Sequence, residues 1–187
     1  MQIHKTALPG VLVFEPRVFG DARGYFKETW HRERYESAGV PGRFVQDNFS
    51  RSRQGTLRGL HFQRRHPQGK LVQVFRGEVF DVAVDVRRGS ETFGRWDGIV
   101  LSETNHRQLY IPPGFAHGFC VLSETADVFY KCTAQYHPDD ERTLLWNDPA
   151  VAIEWPLAGE PVLSEKDRRG TPLADLECCD VAPMDDE

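Results

Sequence analysis

Short stretches in which apolar and polar side chains alternate occur along much of the chain. The clearest spans residues 79–86, where phenylalanine and valine occupy every second position, with two aspartates and an alanine between them. This period of two is that of a β-strand with one face against a core. Glycine and proline turn signals separate similar stretches between Leu57 and Thr133. The pattern therefore predicts a series of short strands.

Helical signals are few. One helix is predicted from about Arg32 to Ala38, with Gly39 closing it. Many short strands with one or a few short helices indicate an all-β sandwich or barrel. The chain of 187 residues has no internal repeat and suits a single domain. The tail from about Ala174 is rich in acids, and we expect it to be poorly ordered.

Composition and charge narrow the function classes. A net charge of -5 argues against nucleic acid as the main partner. No apolar stretch approaches the roughly 20 residues of a membrane span, and the N-terminus lacks the apolar region of a signal peptide. The four cysteines contain no CxxC pair, so we expect no zinc site. The vicinal Cys178 and Cys179 are expected to be free thiols in a reducing cytoplasm.

The most informative stretch spans residues 55–70, because it places three different cations in an otherwise apolar, strand-like run. Arg58, His61 and Lys70 suit a site that binds an anion and moves a proton. The alternative for His61 is a core histidine bonded to a backbone carbonyl. In an ideal strand Arg58 and His61 point to opposite faces, but Gly59 permits a bulge that would bring both into one pocket.

A second histidine lies in a recognisable pattern. Residues 112–117 match P-x-G-x-x-H, the second half of the cupin signature, and end at His117. The first half normally supplies H-x-H and a glutamate to a metal, whereas here the matching region offers only His61. Three converging metal ligands are not evident, so a cupin-like barrel without a metal is expected. The alternative for His117 is a turn histidine that closes a strand.

Other side chains could complete such a site. Tyr130 is either a core residue or a general acid that donates its phenolic proton. Candidates for anion binding are Arg23, Arg58, Lys70 and Lys166, each of which could instead be a solvated surface charge. Candidates to orient a histidine are Asp81, Asp85 and Asp167. For Asp81 and Asp85 the alternative is the solvent-facing side of a half-buried strand.

Some familiar motifs are absent from the sequence. It contains neither the glycine-rich dinucleotide fingerprint nor the phosphate loop of nucleoside triphosphatases. The G-x-S-x-G elbow of serine hydrolases is also missing. We therefore expect acid–base chemistry without an organic cofactor.

Taken in order, many segments resemble those of the dTDP-4-dehydrorhamnose 3,5-epimerase family, the RmlC enzymes. They cover the chain from about residue 5 to 173 and lie at residues 21–28, 44–50, 57–63, 68–72, 81–87, 113–119, 130–133, 146–149 and 164–167. The resemblance implies a cupin-type jelly-roll barrel and a homodimer in which N-terminal strands pair across subunits. It also implies conversion of dTDP-4-dehydro-6-deoxy-D-glucose to dTDP-4-dehydro-L-rhamnose by epimerisation at C3 and C5, as part of dTDP-L-rhamnose biosynthesis.

The resemblance also assigns roles to residues. It makes His61 the base, Asp167 its partner and Tyr130 the acid on the opposite face of the sugar. Lys70 would stabilise the enolate oxygen at C4, and Tyr136 would stack on the thymine. The remaining substrate contacts would be Arg23, Glu28, Gln46, Asp47, Asn48, Arg58, His117, Glu141 and Lys166.

Three alternative functions remain at the level of sequence. The nearest is an epimerase that inverts only C3 or only C5 of a dTDP-4-keto-deoxysugar, in an antibiotic or other deoxysugar pathway. The second is a catalytically silent cupin that binds a nucleotide-sugar or another small ligand. The third is a metal-dependent cupin oxygenase or isomerase. The presence of His61, Asp167 and Tyr130 together favours an active epimerase.

Overall fold

The computed structural model describes residues 1–179 and consists mostly of β-strands. The strands are β1 (Gln2–Lys5), β2 (Leu12–Glu15), β3 (Val18–Asp21), β4 (Gly24–Lys27), β5 (Gln46–Arg53), β6 (Leu57–Gln63), β7 (Lys70–Arg76), β8 (Glu78–Asp85), β9 (Trp96–Ser102), β10 (Gln108–Ile111), β11 (Phe115–Val121), β12 (Thr125–Cys132) and β13 (Glu141–Thr143). The helices are α1 (Arg32–Glu36) and α2 (Glu165–Arg168), with 3-10 turns at Pro138–Asp140 and Leu173–Asp175. The prediction of an all-β fold with few short helices is confirmed.

Two antiparallel sheets form the barrel. The six-stranded sheet has the order β1-β2-β10-β7-β12-β5, and the five-stranded sheet has the order β13-β6-β11-β8-β9. A separate hairpin joins β3 and β4. The main core contains Val72 and Val74 from one sheet and Val79, Ala83 and Phe115 from the other. This packing of two sheets face to face is that of a cupin-type jelly roll.

The alternation predicted for β8 is present, but both faces of this strand are buried. Val82 and Val84 pack into a second core cluster on the outer side of the five-stranded sheet, with Leu144, Leu173 and Leu176. The C-terminal segment therefore covers a face that would otherwise meet solvent. No helix within residues 1–179 is long and apolar enough to cross a lipid bilayer.

Because of this second cluster, the packed part of the chain extends further towards the C-terminus than we predicted. We expected poor order from about Ala174, yet Leu176, Cys178 and Cys179 are each less than 9% exposed and pack against the barrel. Apolar side chains among the acids explain why residues 174–179 belong to the fold. Residues 180–187, the remainder of the predicted tail, lie outside the described residues.

The two aspartates of β8 do not face solvent. Asp81 and Asp85 are fully buried, which overturns the solvent-facing alternative. Asp85 accepts hydrogen bonds from Arg87, Ser90 and Thr92, and these hold the pKa of its carboxyl below the usual range against the effect of burial. It therefore fixes the turn after β8.

The bulge predicted at Gly59 is present where β6 pairs with β11. His61 lies opposite His117 and Arg58 lies opposite Phe119, so three steps along β6 match two steps along β11. Gly59 has a φ of 126°, and its backbone lies against that of Gly118. A side chain at this position would meet Gly118 Cα at 2.5 Å. Glycine is required here for both conformation and space.

We predict that Gly59→Ala lowers the free energy of unfolding by about 2–4 kcal/mol, because it adds a steric clash to an unfavourable φ. Gly89→Ala is the matched control, since Gly89 has a φ of 95° and open space where a Cβ would lie. The control is expected to cost about 1 kcal/mol. Urea unfolding of both variants measures the difference, and equal losses would contradict the close-approach explanation.

Candidate active site

A cavity of about 590 Å³ opens between the two sheets. Strands β5, β7 and β12 of the six-stranded sheet and β6, β11 and β13 of the five-stranded sheet contribute to its wall, together with the segment that carries α2. The predicted site residues that line it are Gln46, Asn48, Arg58, His61, Lys70, His117, Tyr130, Tyr136, Glu141, Lys166 and Asp167. The bulge at Gly59 is what lets Arg58 and His61 share this cavity.

Three predicted substrate contacts do not lie at the cavity. Arg23 is in the β3–β4 turn, where it pairs with Asp21 and is largely exposed. Glu28 pairs with Arg34 at 2.5 Å. Asp47 lies on the outward face of β5, between the inward Gln46 and Asn48, and binds Lys131 Nζ at 2.7 Å. Asp47 points away from the cavity because successive side chains of a strand face opposite sides. Arg23 lies away from it because it belongs to the separate β3–β4 hairpin.

His61 and Asp167 form a close pair. His61 Nε2 lies 2.5 Å from Asp167 Oδ1, and Asp167 is 3% exposed. Because an ionised carboxylate only accepts hydrogen bonds, this contact assigns the ring proton to Nε2. The Nδ1 atom then carries the lone pair, and nothing in residues 1–179 forms a hydrogen bond to it. The arrangement is that of a histidine base with its orienting carboxylate.

The surroundings keep this imidazole neutral. Burial lowers the pKa of His61 below its usual value, the hydrogen bond that the ring donates to Asp167 opposes that shift, and the nearby Lys166 ammonium lowers it further. The net pKa is below that of a free histidine, so the ring is unprotonated at neutral pH. A neutral imidazole is the form that accepts a proton.

Lys70 brings a cation to the same place. Its side chain is buried, and Nζ donates a hydrogen bond to the His61 backbone oxygen at 3.2 Å. Desolvation lowers the pKa of Lys70, and neighbouring acidic groups, Cys132 and Asp81 first, partly restore it. No carboxylate in the described part of the chain forms an ion pair with it. An ammonium so placed stabilises a negative charge that develops in the cavity.

Tyr130 faces this pair from the other sheet. It lies on β12, whereas His61 lies on β6 of the opposite sheet. Its ring packs against the main core, and burial raises the pKa of its phenol to about 12. The hydroxyl therefore keeps its proton at neutral pH. Tyr130 is thus part of the core packing and also reaches the cavity, so the two interpretations left open by the sequence are compatible.

The second histidine is also paired with a carboxylate. His117 Nε2 lies 3.0 Å from both oxygens of Asp81, and both residues are buried. His117 is inside β11, so the interpretation as a turn histidine is wrong. Its ring approaches that of Tyr130 edge-on at 6.2 Å. Asp81 therefore orients His117 on the cavity wall.

Polar groups at the cavity rim are suited to anions and to a flat ring. Arg58 Nε donates to Ser52 Oγ at 2.9 Å, and its terminal nitrogens have no partner in the described residues. Glu141 accepts from Lys166 Nζ at 2.9 Å and from the Tyr136 hydroxyl at 3.1 Å. The Tyr136 side chain is therefore held by its hydroxyl and is 47% exposed.

Sequence reasoning missed several lining residues, namely Ser50, Phe62, Gln63, Gln68, Gly118, Phe119 and Ser164. Gln63 and Gln68 donate to the backbone oxygens of Gln135 and Ala134, so they hold the loop after β12 against the wall. Ser164 had a detectable signal, since a serine three residues before an acid is typical of a helix N-cap. Within residues 1–179 no group of three or more histidine, cysteine or acidic side chains could hold a metal ion.

Together, the barrel and its site define a class: an isomerase of the cupin type, with an imidazole–carboxylate pair, a phenol and a buried lysine around one cavity. The family model described as dTDP-4-dehydrorhamnose 3,5-epimerase matches residues 5–175. The chain belongs to this family.

The similar proteins include both 3,5-epimerases and a monoepimerase. A dTDP-4-dehydrorhamnose 3,5-epimerase from Pseudomonas aeruginosa is 57% identical over 179 residues, which cover 95% of this chain and 99% of the relative. A dTDP-6-deoxy-D-glucose-3,5-epimerase from Legionella pneumophila, solved with dTDP-4-keto-L-rhamnose, is 52% identical with a TM-score of 0.92 and 94% coverage of both chains. ChmJ, a 3'-monoepimerase from Streptomyces bikiniensis solved with dTDP-quinovose, is 34% identical with a TM-score of 0.86, covering 91% of this chain and 87% of its own.

We predict that His61 titrates below the usual histidine range and that Asp167→Asn lowers its pKa further, because the carboxylate favours the protonated ring. NMR titration of the histidine ring signals in wild type and variant measures both values. Glu165→Gln is the matched control, since Glu165 is an exposed acid on the same helix. A rise in the His61 pKa in Asp167→Asn would contradict the proposed electrostatics.

Proposed function

We propose that this protein converts dTDP-4-dehydro-6-deoxy-D-glucose to dTDP-4-dehydro-L-rhamnose by epimerisation at C3 and C5, within the cytoplasmic synthesis of dTDP-L-rhamnose. The observation that carries the proposal is the placement of a neutral imidazole and a protonated phenol on opposite sheets, with a buried ammonium beside the imidazole. The product complex of the Legionella relative supports the choice of substrate.

The first step is removal of a proton next to the ketone. His61 Nδ1 accepts the proton, and the electron pair of the broken C–H bond moves onto the C4 oxygen as an enolate. Lys70 stabilises that oxygen, because a positive charge in a site shielded from water interacts strongly with a developing anion. Asp167 stabilises the imidazolium that forms at the same time.

The second step inverts the centre. Tyr130 donates its phenolic proton to the carbon from the face opposite His61, and the electron pair returns from the enolate to form the new C–H bond. A donor and an acceptor on opposite walls of the cavity are what inversion requires. After each inversion the His61 imidazolium releases its proton to water and the Tyr130 phenolate takes one up. Because C3 and C5 both flank the C4 ketone, the same groups then serve the second centre when the ring turns in the cavity.

Side chains at the cavity rim are suited to bind the nucleotide part of the substrate. The unpartnered end of Arg58, together with Lys166, suits the diphosphate, since guanidinium and ammonium groups bind phosphate oxygens through charge-assisted hydrogen bonds. The half-exposed ring of Tyr136 offers a stacking surface for thymine. Gln46, Asn48, His117 and Glu141 complete the substrate contacts that this chain supplies.

Arg23 and Glu28 fit the same proposal if a second copy of the chain supplies them. The β3–β4 hairpin exposes Phe19, Tyr25 and Phe26, with Phe26 at 68% exposure. Both edges of the six-stranded sheet, β1 and β5, are available for pairing. We propose a homodimer of single-domain subunits in which each hairpin carries its Arg23 and Glu28 towards the cavity of the partner.

The two proposed proton-transfer groups are separable by experiment. In deuterated water without any reductase, His61→Ala is expected to lose deuterium incorporation at C3 and C5 by about 10²–10⁴-fold. Tyr130→Phe is expected to keep some incorporation with return to the original face, while inversion falls by a similar factor. NMR of the recovered sugar nucleotide measures both quantities, and Arg95→Ala, an exposed residue that does not line the cavity, serves as the control. Unchanged inversion in Tyr130→Phe would remove it from the role of acid.

The proposal that two subunits share one site is tested with dimers that combine two different variants. Arg23→Ala and His61→Ala chains, each nearly inactive alone, are co-expressed with different tags and purified as mixed dimers. If Arg23 acts in the cavity of the partner, each mixed dimer contains one site with both residues intact, and activity returns. Arg95→Ala, an exposed arginine outside the hairpin, is the control for loss of charge. Mixed dimers as inactive as their parents would contradict the shared site.

A further inference from the structure

The carboxylate that pairs with His61 lies on a short segment outside the two sheets. Helix α2 has only four residues, too few to be stable without tertiary contacts. The segment is tied to the barrel at both ends. Val162 bonds to Gly55 and Leu57 through its backbone, and Thr171 bonds in the same way to Thr143 and Leu145. These contacts set the position of the backbone near Asp167 and leave the rotation of its carboxylate free.

Ser164 supplies the missing restraint. Its Oγ donates to Asp167 Oδ2 at 2.7 Å and accepts from the Asp167 backbone N–H at 3.1 Å. The other carboxylate oxygen, Oδ1, is the one bound to His61. Among the described residues no further side chain bonds to this carboxylate. Each oxygen thus has one partner, and the two contacts together fix the plane of the carboxylate.

We propose that Ser164 is a positioning residue, which holds the Asp167 carboxylate in the orientation that keeps the proton of His61 on Nε2 and its lone pair on Nδ1. The inference rests on the proposed roles of His61 and Asp167 and adds a third group behind them. With the hydroxyl absent, the carboxylate rotates and its hydrogen bond to the ring loses its geometry. A smaller share of His61 then has a free, correctly directed Nδ1.

A purely structural role for Ser164 is the competing explanation, because the same hydroxyl caps α2. Capping affects the stability of the segment, and this lowers the fraction of folded protein rather than the tautomer of a histidine. The tautomer of His61 and the division of the effect between kcat and KM therefore distinguish positioning from capping.

The test compares Ser164→Ala with Ser164→Thr, which keeps a hydroxyl able to cap and donate. Ser37→Ala is the matched control, since Ser37 Oγ is an exposed hydroxyl at the end of α1 bonded to the Arg34 carbonyl. We expect kcat for deuterium incorporation into dTDP-4-dehydro-6-deoxy-D-glucose to fall about tenfold in Ser164→Ala, with KM changed less than about twofold. Ser164→Thr restores most of the rate. Nitrogen-15 NMR of His61 shows proton occupancy shifting from Nε2 towards Nδ1 in Ser164→Ala alone.

The outcomes separate this inference from the proposed function. If Ser164→Ala keeps the wild-type kcat and the wild-type tautomer of His61, the positioning role is overturned while the epimerase proposal stands. A loss of stability with an unchanged tautomer overturns it equally. Full exchange in His61→Ala would overturn both, because Ser164 would then have no base to position.

Discussion

The contact between His61 Nε2 and Asp167 Oδ1 is the interaction on which the site depends. It joins a barrel strand to a segment more than a hundred residues later in the sequence, and the fold is arranged to bring these two together. Residues 162–171 are tied to the barrel by backbone bonds, and Ser164 fixes the carboxylate. The pairing determines which ring nitrogen is free, and burial keeps that nitrogen unprotonated. Burial of the ring in the barrel is the main cause of its lowered pKa.

The two-sheet architecture determines which side chains face His61 across the cavity. A single sheet would present all its polar side chains from one side, whereas two facing sheets place His61 and Tyr130 on opposing walls. Lys70, on the same sheet as Tyr130, reaches across to the His61 backbone oxygen and so brings its charge next to the base. A phenol, an imidazole and an amine consequently surround a cavity of about 590 Å³, which is large enough for a sugar ring. The proposed inversion therefore depends on the two sheets facing each other across the cavity, more than on any single residue.

Much of this arrangement could be predicted from local sequence. Alternation over residues 79–86 predicted β8, and Gly59 predicted the bulge that unites Arg58 and His61. The burial of Asp81 could not be predicted in this way, because it depends on His117 lying on the neighbouring strand. The packing of the C-terminal segment on the outer face of the five-stranded sheet could not be predicted either. Leu176, Cys178 and Cys179 are only a few apolar residues among acids, and they form no periodic pattern. Helix α2 is too short to produce a periodic signal, and Arg23 has a place in the proposed site only through a second subunit.

The central claim is that one set of side chains inverts both carbons beside the C4 ketone, through an enolate formed first towards one carbon and then towards the other. The most direct measurement follows the wild-type protein with dTDP-4-dehydro-6-deoxy-D-glucose in deuterated water, without a reductase, by proton NMR. The account predicts deuterium at C3 and at C5, seen as loss of both proton signals and collapse of the C6 methyl doublet. Deuterium at one carbon alone, as expected of a monoepimerase like ChmJ, would contradict it.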